Sequence, residues 1–582
     1  MKRIVAKVCA VLVLVATLTA TDSTNRAFAA SAVRRAPSEA QDTGATDRII
    51  VKLKAAFRGP ALARSEAAPK LGRERTAALS SAAAMPLTAI RAMSGDAHVL
   101  AMPHALHGSA LQAVVERLRR DPSVEYAFVD AREHLLGVPN DPLFRSQTWL
   151  QAPGAAPLVS SVSAPGAWDI THGNANALVA VVDNGVRFDH PDLAGRLIAG
   201  YDFVDADCTP GTGTCTVANQ FSTANDGDGR DGDASDPGDW VSQSDIDTNP
   251  IFSRCGRDDS NWHGTHIAGI IAAATDNAIG VAGLNWNGIV MPVRVSGKCG
   301  AYRSDVIDGL RWAAGIAVPN APINSRPARI ISISIGSAGR CESSAYDAAI
   351  AEILARDVII VAAAGNEDSG VILPANCTGV ISVGAVRGDG LRTIYSNSGA
   401  NLTIMAPGGD YSSPSNDRLL STNNAGLTTP QPYSSSGFYD ELAGTSFSAP
   451  VVTGIVSLML SVNPNLSRQQ VFDVLRQTAR PFVALAGYPT CAAEGSGNPD
   501  NTTPCNCTTA ACGAGYADAS AAVTRAFVLG GGVVTPPPPT TPPPSGGGGS
   551  SGGGGGLDLA AIAVLLMIAW ATRKVRRARR AR

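Results

Sequence analysis

At 582 residues the chain is longer than one ordinary domain, so it has to be divided before it is interpreted. A formal net charge of -2, with 16% charged residues, leaves no basic surface for nucleic acid and no strong long-range field.

Residues 1–29 read as a signal peptide. MKRIVAKVCAVLVLVATLTA is basic and then apolar, and the small-residue signature AFAA at Ala27 to Ala30 puts cleavage near Ala29. The apolar run is shorter than the ~20 residues of a spanning helix, and Cys9 lies inside the leader. Export changes how the other ten cysteines are read: Cys208, Cys215, Cys255, Cys299, Cys341, Cys377, Cys491, Cys505, Cys507 and Cys512 are an even set, which favours disulfides. Pairings 299 to 341 or 255 to 299, and 341 to 377, all have permissible spacing. A zinc site has no CxxC pair with a matching partner to support it.

Residues 30–137 fit a small α+β unit. TDRIIVKLKAAF alternates like a strand, HVLAMP follows, ALQAVVERLRRDP has apolar residues at helical spacings of three and four, and VEYAFVDAREH is a further strand. Residues 138–530 have a different texture. The near-continuous apolar runs ALVAVVDNGV, GIVMPVRV, RIISISIG and VIIVAAAGN alternate with the helical patterns YRSDVIDGLRWAAGIA and SAYDAAIAEILARD. Such alternation predicts an α/β domain, a mostly parallel sheet flanked by helices, with functional groups at the carboxyl ends of its strands. The Pro/Gly-rich residues 531–556 form a linker by composition. Residues 557–582, apolar and ending in arginines, read as a transmembrane helix with a basic tail.

Three segments carry chemistry. VAVVDNGVRFDHPDL puts Asp183 at the end of a strand, NWHGTHIAGIIAAA puts His263 at the start of an apolar helix, and GTSFSAP puts Ser446 at the mouth of another. A serine hydroxyl is a weak nucleophile until a base takes its proton, and a histidine base works best when a carboxylate fixes its tautomer. A helix amino terminus beside that hydroxyl supplies N–H donors and a positive dipole end.

In that order, and with HGTHIAG, AAAGNE and GTSFSAP in place, the chain resembles the subtilisin family of serine proteases over roughly residues 140–520. The resemblance implies an exported serine endopeptidase in which Asp183 orients the imidazole, His263 is the general base and Ser446 the nucleophile. It also implies that the Asn366 side chain joins the Ser446 N–H in the oxyanion hole, and that catalysis needs no cofactor. Ser334, Ile335 and Gly336 resemble the edge strand on which a peptide pairs, and Ala363, Ala364 and Gly365 the opposite pocket wall, so protein and peptide substrates are expected. Asn184 stands where the family usually has serine or threonine, Trp262 precedes His263, and Phe447 replaces a common methionine.

The loop NDGDGRDGDASDPGDW, with Asp226, Asp228, Asp231, Asp233 and Asp236, has the closely spaced carboxylates that suit a structural calcium ion, and Asp192 in HPDL matches a family calcium ligand. By the same resemblance residues 30–137 are the propeptide, an intramolecular inhibitor cut off near Leu136 to Asn140. The carboxyl tail is similar to the glycine-rich, arginine-ended sorting tails of some Gram-negative exported proteins. These expectations describe an extracellular or cell-surface monomer that its tail can tether to the membrane. A pseudoenzyme that binds peptides without cleaving them, and a tethered adhesin, are the competing classes.

Overall fold

The computed structural model describes residues 46–57, 71–106, 108–130, 138–208, 216, 220–411, 417–433, 438–492 and 503–533. The expected leader, the expected membrane helix, most of the linker and part of the anticipated cleavage segment lie outside the described residues.

The first part runs β1 (Thr46–Leu53), α1 (Arg73–Ala83), β2 (Thr88–Ala92), β3 (Ala97–Leu106), α2 (Gly108–Arg120) and β4 (Val124–Val129). Its antiparallel sheet has the order β2-β3-β1-β4. Ile49, Val51 and Leu53 of β1 are buried, as strand alternation requires, and Leu111, Val114, Val115 and Leu118 of α2 form the stripe that helical spacing predicts. Both sets share one core with Leu79 and Ala83 of α1. Sequence analysis missed α1. Its RERTAALSSAA has a single large apolar residue, so no stripe announces it.

The larger part is built on seven parallel strands, β5 (Val179–Asp183), β6 (Tyr201–Asp202), β7 (Val290–Arg294), β8 (Ile330–Ile333), β9 (Ile359–Ala363), β10 (Ile381–Val386) and β11 (Ile404–Pro407). Their order is β11-β10-β9-β8-β5-β7-β6. Short α3 (Ala164–Trp168) and α4 (Gln243–Thr248) precede α5 (His263–Ala272), α6 (Arg303–Ala313), α7 (Ala345–Leu354), α8 (Thr445–Val462), α9 (Arg468–Thr478), α10 (Thr509–Cys512) and α11 (Ala519–Leu529). A hairpin of β12 (Leu419–Thr422) and β13 (Tyr439–Leu442) precedes α8.

Every residue of β5, β7 and β8 is buried, which is why these strands read as unbroken apolar runs. Successive side chains of β5 enter two different cores. Val179 and Val181 pack with α5, α8, α9 and α11, whereas Ala180 and Val182 pack with α6 and α7. Because β7 lies on one side of β5 and β8 on the other, the winding direction reverses at β5, and the crevice beyond such a reversal is where α/β sheets gather functional groups. α8 is long and apolar enough to cross a membrane, yet it is buried in the core.

Four disulfides join described residues: Cys255–Cys299, Cys341–Cys377, Cys491–Cys505 and Cys507–Cys512. They select 255 to 299 and 341 to 377 from the expected pairings and exclude 299 to 341.

Candidate active site

Asp183 ends β5 at the reversal point. Its Oδ1 accepts His263 Nδ1 at 2.8 Å and the Asn184 N–H at 2.9 Å. An acceptor on that side keeps the proton on Nδ1 and leaves Nε2 free to act as a base. His263 opens α5, and the helix reaches the strand end because residue 264 is glycine: a Cβ there would lie 2.2 Å from the Gly185 carbonyl oxygen. Burial presses the imidazole pKa down. The adjacent Asp183 charge and hydrogen bond outweigh it, with Asp239 and Asp236 adding, so the net displacement from 6.5 is upward.

Ser446 is the second residue of α8, and its N–H belongs to the first turn, where no intrahelical acceptor exists. Its hydroxyl donates to the Ser334 carbonyl at 3.3 Å, and the Ser334 hydroxyl donates to the Ser446 carbonyl at 2.8 Å. The imidazole lies against Phe447, the next residue, with ring centroids 5.3 Å apart. Asp183 and His263 are therefore bonded, the residue after Ser446 lies against the imidazole, and the Ser446 hydroxyl is turned to Ser334.

Asn366 follows β9 and is exposed. Its Oδ1 accepts both the N–H and the hydroxyl of Thr445, each at 2.9 Å. With the oxygen engaged, the amide NH2 is the end left over to donate. Ser334, Ile335 and Gly336 continue β8 at the rim, while Ala363 ends β9 and Ala364 and Gly365 follow it. Gly336 and Gly365 both face Ile372: a Cβ on either would fall 2.8 or 2.9 Å from its Cδ1. Glu367, at the rim, accepts Asn397 Nδ2 at 2.8 Å.

A family model described as the subtilase family matches residues 174–515, more than half of the chain. The chain belongs to the subtilase family. This subtilase is 36% identical over 447 residues to an extracellular protease of Xanthomonas campestris pv. campestris, an alignment covering 76% of this chain and 66% of that protein. It is 34% identical over 399 residues to an extracellular basic protease of Dichelobacter nodosus, covering 68% of this chain and 60% of that protein. The chain thus spans about two thirds or less of the length of these relatives. Among solved structures, a protease of Pseudoalteromonas arctica shares 37% identity and a TM-score of 0.55, over 67% of this chain and 100% of that one.

Of the six aspartates anticipated as metal ligands, Asp192 stands apart in the subtilase, whereas Asp226, Asp231 and Asp233 lie near enough to Asp228 for their charges to add to burial in raising its pKa. Asp226 pairs with the buried Arg294, Asp231 accepts the Asp233 N–H at 2.8 Å, Asp233 accepts that of Ser235 at 3.0 Å, and Asp236 that of Gly238 at 2.8 Å. Asp228 donates its own N–H to Asp226 at 3.3 Å. Within the acidic run, one oxygen each of Asp226, Asp231, Asp233 and Asp236 is engaged by the run's own turns or by Arg294, while Asp236 Oδ2 is buried without a partner. Among the described residues the only close trio of candidate ligand side chains is Cys491, Cys507 and Cys512, whose sulfurs are in disulfides.

Asp192 sits elsewhere, fully buried, and accepts Asn277 Nδ2 at 2.8 Å and the Val281 N–H at 2.9 Å. Asp141, unforeseen from sequence, is also buried and accepts the Asp276 N–H at 2.8 Å. Burial pushes Asp192 up to about 6, with the Asp141 charge adding to it. Neither carboxylate has a salt-bridge partner among the described residues. Asp239, near the end of the acidic loop, and Asn261, which opens NWHGTHIAG, are functional candidates that their motifs do not single out; they pack behind the triad.

Proposed function

We propose that the protein is an exported serine endopeptidase that hydrolyses peptide bonds through Asp183, His263 and Ser446. The observation that carries the proposal is the Asp183–His263 hydrogen bond at the carboxyl end of β5, with the first turn of α8, which holds Ser446, against the imidazole through Phe447. Rotation about the Cα–Cβ bond turns the Ser446 hydroxyl from the Ser334 carbonyl to His263 Nε2. Oγ then attacks the scissile carbonyl as Nε2 takes its proton, and the oxyanion is met by the Ser446 N–H and Asn366 Nδ2. Nε2 returns the proton to the leaving amine; water, deprotonated by the same nitrogen, then attacks the acyl carbon, and Nε2 passes that proton to Ser446 Oγ as the acyl group leaves. A peptide lying extended against Ser334 to Gly336, with a side chain between that wall and Ala363 to Gly365, presents its carbonyl to this row.

Calcium is proposed as a structural ligand at Asp192 and Asp141 rather than in the acidic run. Two buried carboxylates without a cationic partner, beside the Asp276–Val281 turn, offer the all-oxygen setting a hard divalent cation takes. When bound, the ion neutralises that pair and holds the turn, and it takes no part in the reaction.

Export is supported by the leader-like start of the sequence and by relatives described as extracellular. Residues 30–137 act, in this proposal, as an inhibitory propeptide, and the carboxyl tail as a removable membrane tether. Casein hydrolysis by the purified protein, compared with Ser446→Ala, tests the activity: loss of at least a thousandfold is expected, and equal rates would reject it. Mass spectrometry of the secreted protein tests the two processing steps by locating its ends.

A further inference from the structure

The segment ahead of α5 brings another carboxylate to the back of the triad, and the reaction just described does not use it. Asp239 accepts the Asn261 N–H on Oδ1 at 3.0 Å and Asn184 Nδ2 on Oδ2 at 3.3 Å. Asn184 accepts the Gly264 N–H at 2.8 Å, and Asn261 accepts the His263 N–H at 3.1 Å. The two amides also meet, Asn184 Nδ2 donating to Asn261 Oδ1 at 3.3 Å. One carboxylate therefore anchors two asparagines, and each asparagine holds one of the peptide N–H groups on either side of the His263 α-carbon.

The network explains two irregularities. Trp262 lies at φ +48°, an unusual conformation for so bulky a residue, and the bonds on both sides of it, with its indole N–H donated to the Gly426 carbonyl at 2.8 Å, hold it there. Asn184 spends its side chain on the network, and Asp183 Oδ2 is left without a donor. Asp239 is a second carboxylate whose charge, after that of Asp183, favours the protonated imidazole.

We infer that Asp239 is a positioning residue of the triad: through Asn184 and Asn261 it fixes the backbone on both sides of His263, and it places a second negative charge behind the imidazole. This role presupposes the triad proposed above.

The charged and titratable groups facing His263 are Asp183 at the end of β5, Asp239 and Asp236 in the segment before α5, and His266 one turn along α5. α8 contributes the uncharged Phe447 ring. Burial, and then the neighbouring His263, push His266 down to about 3, so it stays neutral. Asp236 has Arg294 and Arg187 nearby as counter-charges, whereas no lysine or arginine among the described residues forms an ion pair with Asp239. Asp239 is thus, after Asp183, the carboxylate whose charge is most available to the imidazolium. That cation forms each time Ser446 gives up its proton, and it is also the inactive resting form at low pH.

The test is the pH profile of kcat/KM on a peptide substrate for Asp239→Asn and Asp239→Glu, with active sites counted by a fluorophosphonate so that only folded enzyme enters the rates. Removing the charge destabilises imidazolium, so Asp239→Asn should move the acid limb to lower pH by roughly half a unit or more and lower kcat about tenfold. Asp239→Glu keeps the charge but shifts the hydrogen bonds, and should lower kcat without that displacement. An acid limb for Asp239→Asn within about 0.1 unit of the parent would overturn the electrostatic role. If that variant does not fold, Asn184→Ser supplies the check: kcat should fall several-fold at unchanged KM, and an unchanged kcat would overturn the positioning role. Should Ser446→Ala prove fully active, the triad itself is wrong; a profile measured on an enzyme that depends on Ser446 concerns Asp239 alone.

Discussion

Thr445 grips the side-chain oxygen of Asn366 with both its N–H and its hydroxyl, each at 2.9 Å. The residue before the proposed nucleophile thereby decides which end of the amide faces the cleft. Asn366→Leu, which removes the donor, should lower kcat by roughly 10²–10³-fold with little change in KM, because the lost bond is made to the oxyanion and not to the ground-state carbonyl. Thr445→Val, leaving the backbone half of the grip, should cost less. Steady-state kinetics on one peptide substrate compares the two, and equal kcat for Asn366→Leu and parent would remove Asn366 from the oxyanion site.

The acid limb of activity follows from the net upward displacement of His263. A general base must be unprotonated, so kcat/KM falls as pH drops through the imidazole pKa, and that midpoint should lie above the ordinary 6.5. Asp183→Asn removes the charge and permits the wrong tautomer. Activity near neutrality should drop by about 10⁴-fold, and the residual acid limb should move to lower pH. A pH–rate profile with its acid midpoint below 6 in the parent would contradict the electrostatics described.

Ile372 Cδ1 lies against both Gly336 and Gly365, beside the Leu373 carbonyl and the Asn397 and Glu367 side chains, so it narrows the space between the two proposed cleft walls. Peptides with alanine or valine before the scissile bond should be cut faster than those with phenylalanine. Ile372→Gly should reverse that order, since each methylene accommodated or excluded is worth about 1–3 kcal/mol. A panel of peptides differing only at that residue gives the ratio directly. An unchanged ranking in Ile372→Gly would place the side-chain pocket elsewhere.

Chelation should expose the calcium dependence of folding. A ligand at a hundredfold excess over its Kd stabilises by about 2.7 kcal/mol, so excess EDTA should lower Tm by several degrees and calcium should restore it. Asp192→Asn should flatten that response, while Asp228→Asn, in the acidic run, should leave it intact. Scanning calorimetry with and without calcium tells the two locations apart.

What sequence made legible was whatever had a period or a motif. The alternation of β1, the stripe of α2 and the buried runs of β5, β7, β8 and β9 appear where the spacing puts them, as do the Asp183 strand end and the two helix mouths at His263 and Ser446. α1 escaped because Leu79 is its one large apolar residue, which makes no stripe. Carboxylate spacing along a chain does not say which oxygens a turn uses: in the acidic run, turn N–H groups and Arg294 engage one oxygen each of Asp226, Asp231 and Asp233. The roles of Asp141 and of Asp239, which itself stands in the acidic loop, were hidden for the converse reason. Each acts through partners more than 20 positions away, Asp276 for the first and Asn184 and Asn261 for the second, which only the fold brings near.

Fluorophosphonate labelling of the purified protein, followed by peptide mapping, addresses the reacting serine most directly. One equivalent of label on Ser446, coincident with loss of casein hydrolysis and abolished by His263→Ala, is the expected result. Full activity after Ser446 is labelled, or stoichiometric label on a different serine with Ser446 untouched, would contradict it.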